Sequence, residues 1–305
     1  MPKRLLLIDA TGLLFRAYFS LPPFTAPDGT PVGAVYGLVR MLLKLFRDVP
    51  ATESAVVFDA GARTFRNDAY PQYKAHRPPP PDDLKPQFGL AIATAQATAA
   101  PVFSREGFEA DDLIATLAMQ AAAVGHAATI LTSDRDILQL LSPTVTVIIP
   151  KKNDFTTYTP ESFEAEYGFG VERFTDFKAL MGDPSDNIPG VAGIGEKTAA
   201  HLVSAYGRLD QLYANLDLVK PEGVRLKLKA GREQAFLFRE LVTLRLDAPV
   251  AYDFSARRLP DFGSPRLQEM LAHYGFSRLR DDAASLGDLE HREPGGAGGS
   301  PAVLA

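Results

Sequence analysis

Asp183 and Asp186, three positions apart, stand just before a glycine-rich turn, Gly190-Val-Ala-Gly193-Ile194-Gly195, which runs into Lys197 and Thr198. Carboxylates so close in sequence can share a hard divalent cation, which takes oxygen ligands. The glycines let the backbone turn tightly and approach a ligand with no Cβ in the way. A helix opening at Lys197 has unpaired N–H groups and a positive dipole end, which suit a phosphate, and the lysine adds a point charge. Metal ligands beside a phosphate-holding turn suggest an enzyme that cuts a nucleic-acid backbone. The turn is not a dinucleotide fingerprint, because no strand of β-branched residues leads into it, and its glycine spacing is not that of a P-loop. A glycine-rich turn before a helix is more often only a turn; the adjacent carboxylates raise its interest.

Other carboxylates fall where regular elements meet loops. Arg4-Leu-Leu-Leu-Ile closes with Asp9, Ala55-Val-Val-Phe with Asp59, and Thr129-Ile-Leu-Thr-Ser with Asp134, followed by Asp136. Continuous apolar runs of this length fit strands buried on both faces. Helical patterns over residues 35–46, 84–99 and 111–124 separate them. This alternation predicts an α/β fold with a mostly parallel central sheet and helices on both faces. Residues 145–149 read as a further strand. Ligands gather at the carboxyl ends of strands in such sheets, so Asp9, Asp59 and Asp134 are expected to converge. Glu109-Ala-Asp111-Asp112 opens the helix that ends near Gly125. Carboxylates are favourable in a first helical turn, and capping is the commoner explanation of that cluster by itself. The strand-like residues 101–103 would aim it at the same edge.

The set says more than any member. Carboxylates crowded together repel one another and take up protons unless cations compensate. Magnesium prefers oxygen ligands and keeps several waters. Two metals about 4 Å apart can activate a water and stabilise the leaving oxygen of an in-line displacement, which is the chemistry of phosphodiester hydrolysis.

Residues 61–86 differ in character. Arg63, Arg66, Lys74 and Arg77 are interleaved with Phe65, Tyr70 and Tyr73, and prolines fill positions 78–81. Cations among aromatics suit single-stranded nucleic acid; a solvated connection with a few anchoring aromatics explains the same residues equally well. The prolines form a stiff extended segment. From Pro160 onward the pattern is helical, near 161–167, 171–181, 197–206, 209–215, 232–245 and 266–274, with Gly168, Gly207 and Gly275 as stops. Arg225, Lys227, Lys229 and Arg232 form a basic run, for which a solvated face is the commoner reading. The division expected is an α/β core over 1–158, a helical subdomain over 159–290, and a disordered glycine-rich tail over 291–305.

Composition sets outer bounds. The 305 residues suit about two domains, and 46% hydrophobic with 23% charged residues is ordinary for a globular protein. Cysteine is absent, which excludes disulfides and thiolate metal sites. The five histidines lack ligand spacing, which argues against a zinc enzyme. The N-terminal apolar run is too short for a signal peptide, and no stretch reaches the length of a membrane span; a cytoplasmic protein is expected. The net charge of −5 alone disfavours a polyanion partner. A net value can hide a segregated field, however, and setting the clustered carboxylates aside leaves a positive balance.

The chain resembles the bacterial 5′-nuclease family, which comprises the 5′→3′ exonuclease domain of DNA polymerase I, stand-alone relatives and, more distantly, the flap endonucleases. The resemblance runs from about Leu5 to Leu279. It rests on Leu-Leu-Ile-Asp9-Ala-Thr-Gly-Leu-Leu-Phe-Arg16-Ala-Tyr, Val-Phe-Asp59-Ala, Thr64-Phe-Arg66, Tyr-Pro-Gln-Tyr73-Lys74-Ala-His-Arg77-Pro, Glu109-Ala-Asp111-Asp112, Thr-Ser-Asp134-Arg-Asp136, and Gly-Asp183-Pro-Ser-Asp186-Asn-Ile-Pro-Gly-Val-Ala-Gly-Ile-Gly-Glu-Lys-Thr-Ala. It implies a PIN-like nuclease core and a helix–hairpin–helix motif over 183–206. One metal would be held by Asp9, Asp59, Glu109 and Asp111 with Asp112 close by, and a second by Asp134, Asp136, Asp183 and Asp186. Both would be magnesium, replaceable by manganese. Tyr73, Lys74 and Arg77 would lie at the base of a helical arch around 63–90, with Arg16 as another basic residue of the site. Arg66, Gly190, Gly193, Ile194, Gly195, Lys197 and Thr198 would contact DNA, with a potassium ion at the turn. The resemblance implies a monomer that clips DNA 5′ ends or flaps near junctions, and RNA primer ends, with a DNA polymerase as partner. Ser133, Pro184 and Ala192 depart from the family pattern without removing a ligand.

The competing reading is a catalytically silent junction-binding module, supported by the turn and the basic–aromatic segment and opposed by the complete carboxylate set. A phosphatase of the haloacid-dehalogenase type needs Asp-x-Asp after its first strand, where this chain has Asp9-Ala-Thr.

Overall fold

The computed structural model describes residues 3–287 and 289 apart from 62, 153, 256 and 257. The tail expected over 291–305 lies outside the described residues. Six strands form one sheet: β1 (Arg4–Asp9), β2 (Glu53–Val57), β3 (Val102–Phe103), β4 (Ala127–Leu131), β5 (Val145–Pro150) and β6 (Phe155–Tyr158). Their order is β3-β2-β1-β4-β5-β6, parallel except for the antiparallel β6. The order reverses between β1 and β4, a topological switch point whose carboxyl-end crevice is where such sheets bind ligands.

Side chains along β1 alternate between two cores, as strand geometry dictates. Leu5 and Leu7, with Ala55 and Val57 of β2, face the helix Ala110–Ala123 and the helical second half of the chain. Leu6 and Ile8, with Val56, face the helices Ala10–Ser20, Gly33–Asp48 and Lys85–Ala97. Helices therefore cover both faces, which is why the strands read as unbroken apolar runs.

Several expected elements change. The helix Ala10–Ser20 was not expected: it follows Asp9 without a loop, and Gly12 in its first turn masks the helical pattern. Strand β6 was also missed, although its Phe-Thr-Thr-Tyr composition is that of a strand. The arch expected around 63–90 is largely non-helical. It holds the five-residue helix Phe65–Ala69, then turns, then an extended run to the start of Lys85–Ala97. The prolines at 78–81 lack N–H donors and disfavour helix in the residues before them.

The expected 159–290 subdomain also divides. Residues 160–254 pack on one side of the sheet, whereas the helices Pro265–His273 and Ser277–Leu286 return to the other core. There Phe262 meets Phe46 and Phe276 meets Tyr36, with ring centroids 5.6 and 5.1 Å apart. Ser264 Oγ donates to the Ala97 carbonyl at 2.6 Å. Among the described residues no helix is long and apolar enough to cross a membrane.

Candidate active site

The carboxyl ends of the strands open into a cleft of about 460 Å³. Asp9, Asp59, Glu109, Asp111, Asp134, Asp136 and Asp183 line it, together with the cations Lys74, Arg77, Arg135 and Lys178. Capping and a place in the cleft prove compatible for most of these acids. Asp9 caps the helix Ala10–Ser20 by accepting from Gly12 N at 2.8 Å through Oδ1, while its Oδ2 accepts from Thr132 Oγ1 at 2.8 Å. A Cβ at Gly12 would lie 2.3 Å from Asp9 Oδ2, so glycine there leaves the Asp9 carboxylate in this position. Asp59 uses Oδ1 to accept from Ala110 N at 2.7 Å, and its own N–H donates to Thr11 Oγ1 at 2.8 Å. Asp134 accepts from Asp136 N at 2.9 Å, and Asp183 from Ser185 N at 2.8 Å. Each cap fixes one oxygen with backbone geometry.

The electrostatics of the cluster are unfavourable as it stands. Burial, then Asp134, Asp9, Glu109 and Asp59, push the Asp111 carboxyl well above its usual range. Among the described residues no hydrogen-bond donor or cation pairs with it. Burial and the neighbouring Asp59 and Asp134 raise Asp9 to about 7, and burial with Asp134 raises Asp136 to about 7. Asp59 and Asp134 move the same way, burial leading in both. Asp59 is recessed among protein atoms yet its surface is open to the cleft.

Two ammonium groups relieve part of the load. Lys178, in the helix Phe174–Met181, pairs with Asp136 at 2.7 Å and with Asp183. Burial opposes charge on Asp183, but the Lys178 and Ser185 donors outweigh it and hold its carboxyl below the usual range. Lys178 was not singled out in the sequence; a lysine in the last turn of a helix reads as a complement to the helix dipole. Lys74 Nζ donates to both Glu109 oxygens at 2.9 Å. Arg77 donates to Asp186 Oδ1 at 2.6 Å, and Tyr73 Oη to Asp186 Oδ2 at 2.9 Å. Phe15, rather than its neighbour Arg16, lines the cleft.

The donor set fits divalent cations. Asp136, Asp183 and Asp186 offer oxygens within 4.8 Å of one another, and Asp111 lies among four more carboxylates that push its carboxyl upward. Hard cations with oxygen ligands meet this need.

Asp112 and Arg66, like Arg16, lie outside the cleft. Asp112 is fully buried, and its carboxylate is saturated by four donors. Oδ1 accepts from Arg66 Nη2 at 2.8 Å and Arg245 N at 2.9 Å; Oδ2 accepts from Arg66 Nη1 at 2.7 Å and Glu109 N at 3.1 Å. Asp112 therefore has no oxygen left for a metal, and it does not line the cleft. Arg66, 1% exposed, also donates through Nε to the Leu241 carbonyl at 2.8 Å. It is a buried cross-link rather than a DNA contact.

The glycine-rich turn splits by role. Gly190 has φ +67° and packs against Met181 and Gly182, where a Cβ would strike backbone, so it closes the 183–190 hairpin. Ile194, 3% exposed, anchors the turn in the core. Gly193 is exposed at φ +76°, and its carbonyl accepts from Lys227 Nζ at 3.1 Å. Gly195 precedes the helix Glu196–Tyr206 with no side-chain cap. Lys197 is exposed and Thr198 half-buried in its first turn.

Comparison with known proteins agrees with this geometry. Residues 4–168 match the model of the 5′-3′ exonuclease N-terminal resolvase-like domain, and residues 169–263 that of the 5′-3′ exonuclease C-terminal SAM fold. The chain is 42% identical over 294 residues to a thermostable DNA polymerase I of Thermus filiformis, covering 96% of this chain and 34% of that protein. It is also 42% identical over 294 residues to DNA polymerase I of Rhizobium leguminosarum, covering 94% and 29%. It thus spans about a third of the length of the curated relatives it matches. In fold it is similar to T5 5′-exonuclease with bound divalent metal ions (zinc), with a TM-score of 0.67 at 24% identity over 93% of this chain and 98% of that one. The catalytic core of Rad2 in complex with DNA substrate gives a TM-score of 0.61 at 16% identity, over 93% and 92%. On its sequence, its sheet and its acidic cleft together, the chain belongs to the 5′-3′ exonuclease family.

Proposed function

We propose that the chain hydrolyses DNA phosphodiester bonds near single-strand/duplex junctions, as a 5′→3′ exonuclease and 5′-flap endonuclease. Two magnesium ions, or manganese in their place, would be held in the acidic cleft. The observation that carries the reading is Asp111, lining the cleft among Asp9, Asp59, Glu109 and Asp134 with no compensating donor among the described residues. Asp9, Asp59, Glu109 and Asp111 would hold one ion, and Asp134, Asp136, Asp183 and Asp186 the other. When bound, such ions supply activation of a water and stabilisation of the leaving oxygen.

The chain's own groups supply position and charge. Lys74 and Arg77, which now neutralise Glu109 and Asp186, are within the cleft to take a scissile phosphate. Tyr73 Oη, bonded to Asp186 and to Glu109 at 3.2 Å, orients both carboxylates. Lys197, Thr198 and the open N-terminus of their helix would grip duplex backbone through phosphates, which gives structure-selective rather than sequence-selective binding. A potassium ion at the turn, if it used the Gly193 carbonyl, would displace Lys227 Nζ from it. The setting proposed is primer or flap removal in DNA replication and repair, with RNA primer ends as a further substrate. The relatives' names support a polymerase partner, and a cytoplasmic monomer is the proposed form.

Asp134→Ala is the test. Cleavage of a 5′-flap duplex in magnesium should disappear, and junction binding in calcium should persist. Magnesium-dependent cutting by that variant would sink the reading.

A further inference from the structure

Lys74 is one of three described non-glycine residues with positive φ, at +55°. A lysine rarely adopts this left-handed conformation, and such residues persist only where their surroundings over-determine them. Here the surroundings can be named. The Lys74 N–H donates to the Asp186 carbonyl at 3.0 Å, and the Lys74 carbonyl accepts from Arg77 N at 3.0 Å. The carbonyl just before Lys74, that of Tyr73, accepts from Asn67 Nδ2 at 3.0 Å. The next carbonyl back, that of Gln72, accepts from Asn187 Nδ2 at 2.7 Å.

The two asparagines come from opposite sides. Asn67 belongs to the helix Phe65–Ala69 and is held in turn by Thr64 N, which donates to its Oδ1 at 2.8 Å. Asn187 follows the Pro184–Asp186 turn, which carries Asp186 and is capped by Asp183, and it is itself left-handed at φ +59°. Asparagine is among the side chains that tolerate this region best. Neither amide touches a carboxylate of the cleft. Asn67 holds the peptide unit that leads directly into Lys74, and Asn187 holds the unit before it, so the two amides fix the backbone from which the Lys74 side chain departs.

We infer that Asn67 and Asn187 form a clamp that holds Lys74 in its left-handed conformation and so places its ammonium between Glu109 and the reacting phosphate. They are positioning residues. The inference rests on the nuclease reading for its effect on rate, but not for its effect on Lys74 geometry. The clamp also joins the 71–77 turn to the 183–187 loop, so cation and acids of the two segments are set in one register.

The variants that isolate the clamp keep the backbone and the cap. Asn187→Gly keeps the left-handed preference and removes only the amide. Asn67→Asp keeps the acceptor for Thr64 N and replaces the donor with a carboxylate oxygen that faces the Tyr73 carbonyl and repels it. Single-turnover cleavage of a 5′-flap duplex in magnesium is measured for these, for Lys74→Met and for each combination with Lys74→Met. Each asparagine variant should slow cleavage by about 10- to 100-fold, the scale of a small misplacement of a reacting group, with affinity in calcium unchanged within about twofold. On the Lys74→Met background the same changes should cost less than about twofold, because coupled residues are not additive. The Cα and Cβ chemical shifts of Lys74 read its conformation without turnover, and they should leave left-handed values in both asparagine variants. Equal losses with and without Lys74, unchanged rates, or unchanged Lys74 shifts would overturn the clamp. If the unaltered chain does not cut but the shifts move, the nuclease reading falls and the clamp stands.

Discussion

At the scale of single residues, the side chains of the cleft were legible as types and illegible as partners. Asp9, Asp59 and Asp134 were recognisable because each follows an apolar run. Asp112 was not separable from Asp111, its neighbour in sequence. A single residue step of the helix, about 100° of rotation, sends Asp111 to the cleft and Asp112 to Arg66, 46 residues away, and only the folded chain shows which goes where. The distinction has a measurable consequence. Removing one partner of a buried ion pair leaves an uncompensated charge and costs about 3–5 kcal/mol. Asp112→Ala should therefore lower the melting temperature by about 10 °C in a protein of this size, in chelator as much as in magnesium. Calorimetry of the variant in both conditions checks this. A loss of magnesium stabilisation with an unchanged melting temperature in chelator would return Asp112 to the metal site.

At the scale of elements, the parallel strands announced themselves because burial on both faces writes a continuous apolar run. Helices were found where one face is apolar and missed where that signal fails. Glu222–Ala230 carries Arg225, Lys227 and Lys229 and buries only Leu228, so it read as a solvated basic run. Its Lys227 nevertheless reaches the glycine-rich turn. The neighbouring helix Glu196–Tyr206 is the element whose function is most exposed to test. Lys197 sits at its open N-terminus and should contact a phosphate rather than a base. Lys197→Ala should weaken duplex binding evenly across sequences and reduce the salt slope by about one. Binding titrations from low to moderate salt read this directly, and an unchanged slope would count against a phosphate at that position.

At the scale of the whole molecule, the net charge of −5 conceals an acidic cleft on an otherwise more basic chain. The sheet order was not readable from sequence, since it depends on which runs become neighbours. The return of the last two helices to the far core was equally hidden, because their apolar faces do not say which surface they cover. The cleft links global stability to pH and metal. A carboxylate with a raised folded-state pKa binds more protons folded than unfolded, so stability falls as pH rises through the interval. Asp9 and Asp136, at about 7, with Asp59, Asp111 and Asp134 raised as well, set that window from about pH 4 to about 7. Asp183, held low, contributes the opposite way and only as pH falls below the ordinary carboxylate range. In chelator the melting temperature should therefore fall between about pH 5 and about pH 7, and millimolar magnesium should remove the decline by binding the ionised cluster. A flat profile in chelator would contradict the crowding of acids on which the metal assignment rests.

The most direct measurement uses a 5′-flap duplex labelled on the flap strand, incubated with the chain in magnesium, in calcium and in chelator. Short labelled 5′ products are expected in magnesium alone, with lengths that distinguish flap cutting from stepwise exonuclease action. Tight binding in calcium with no product in magnesium would contradict the nuclease reading and leave a junction-binding module in its place.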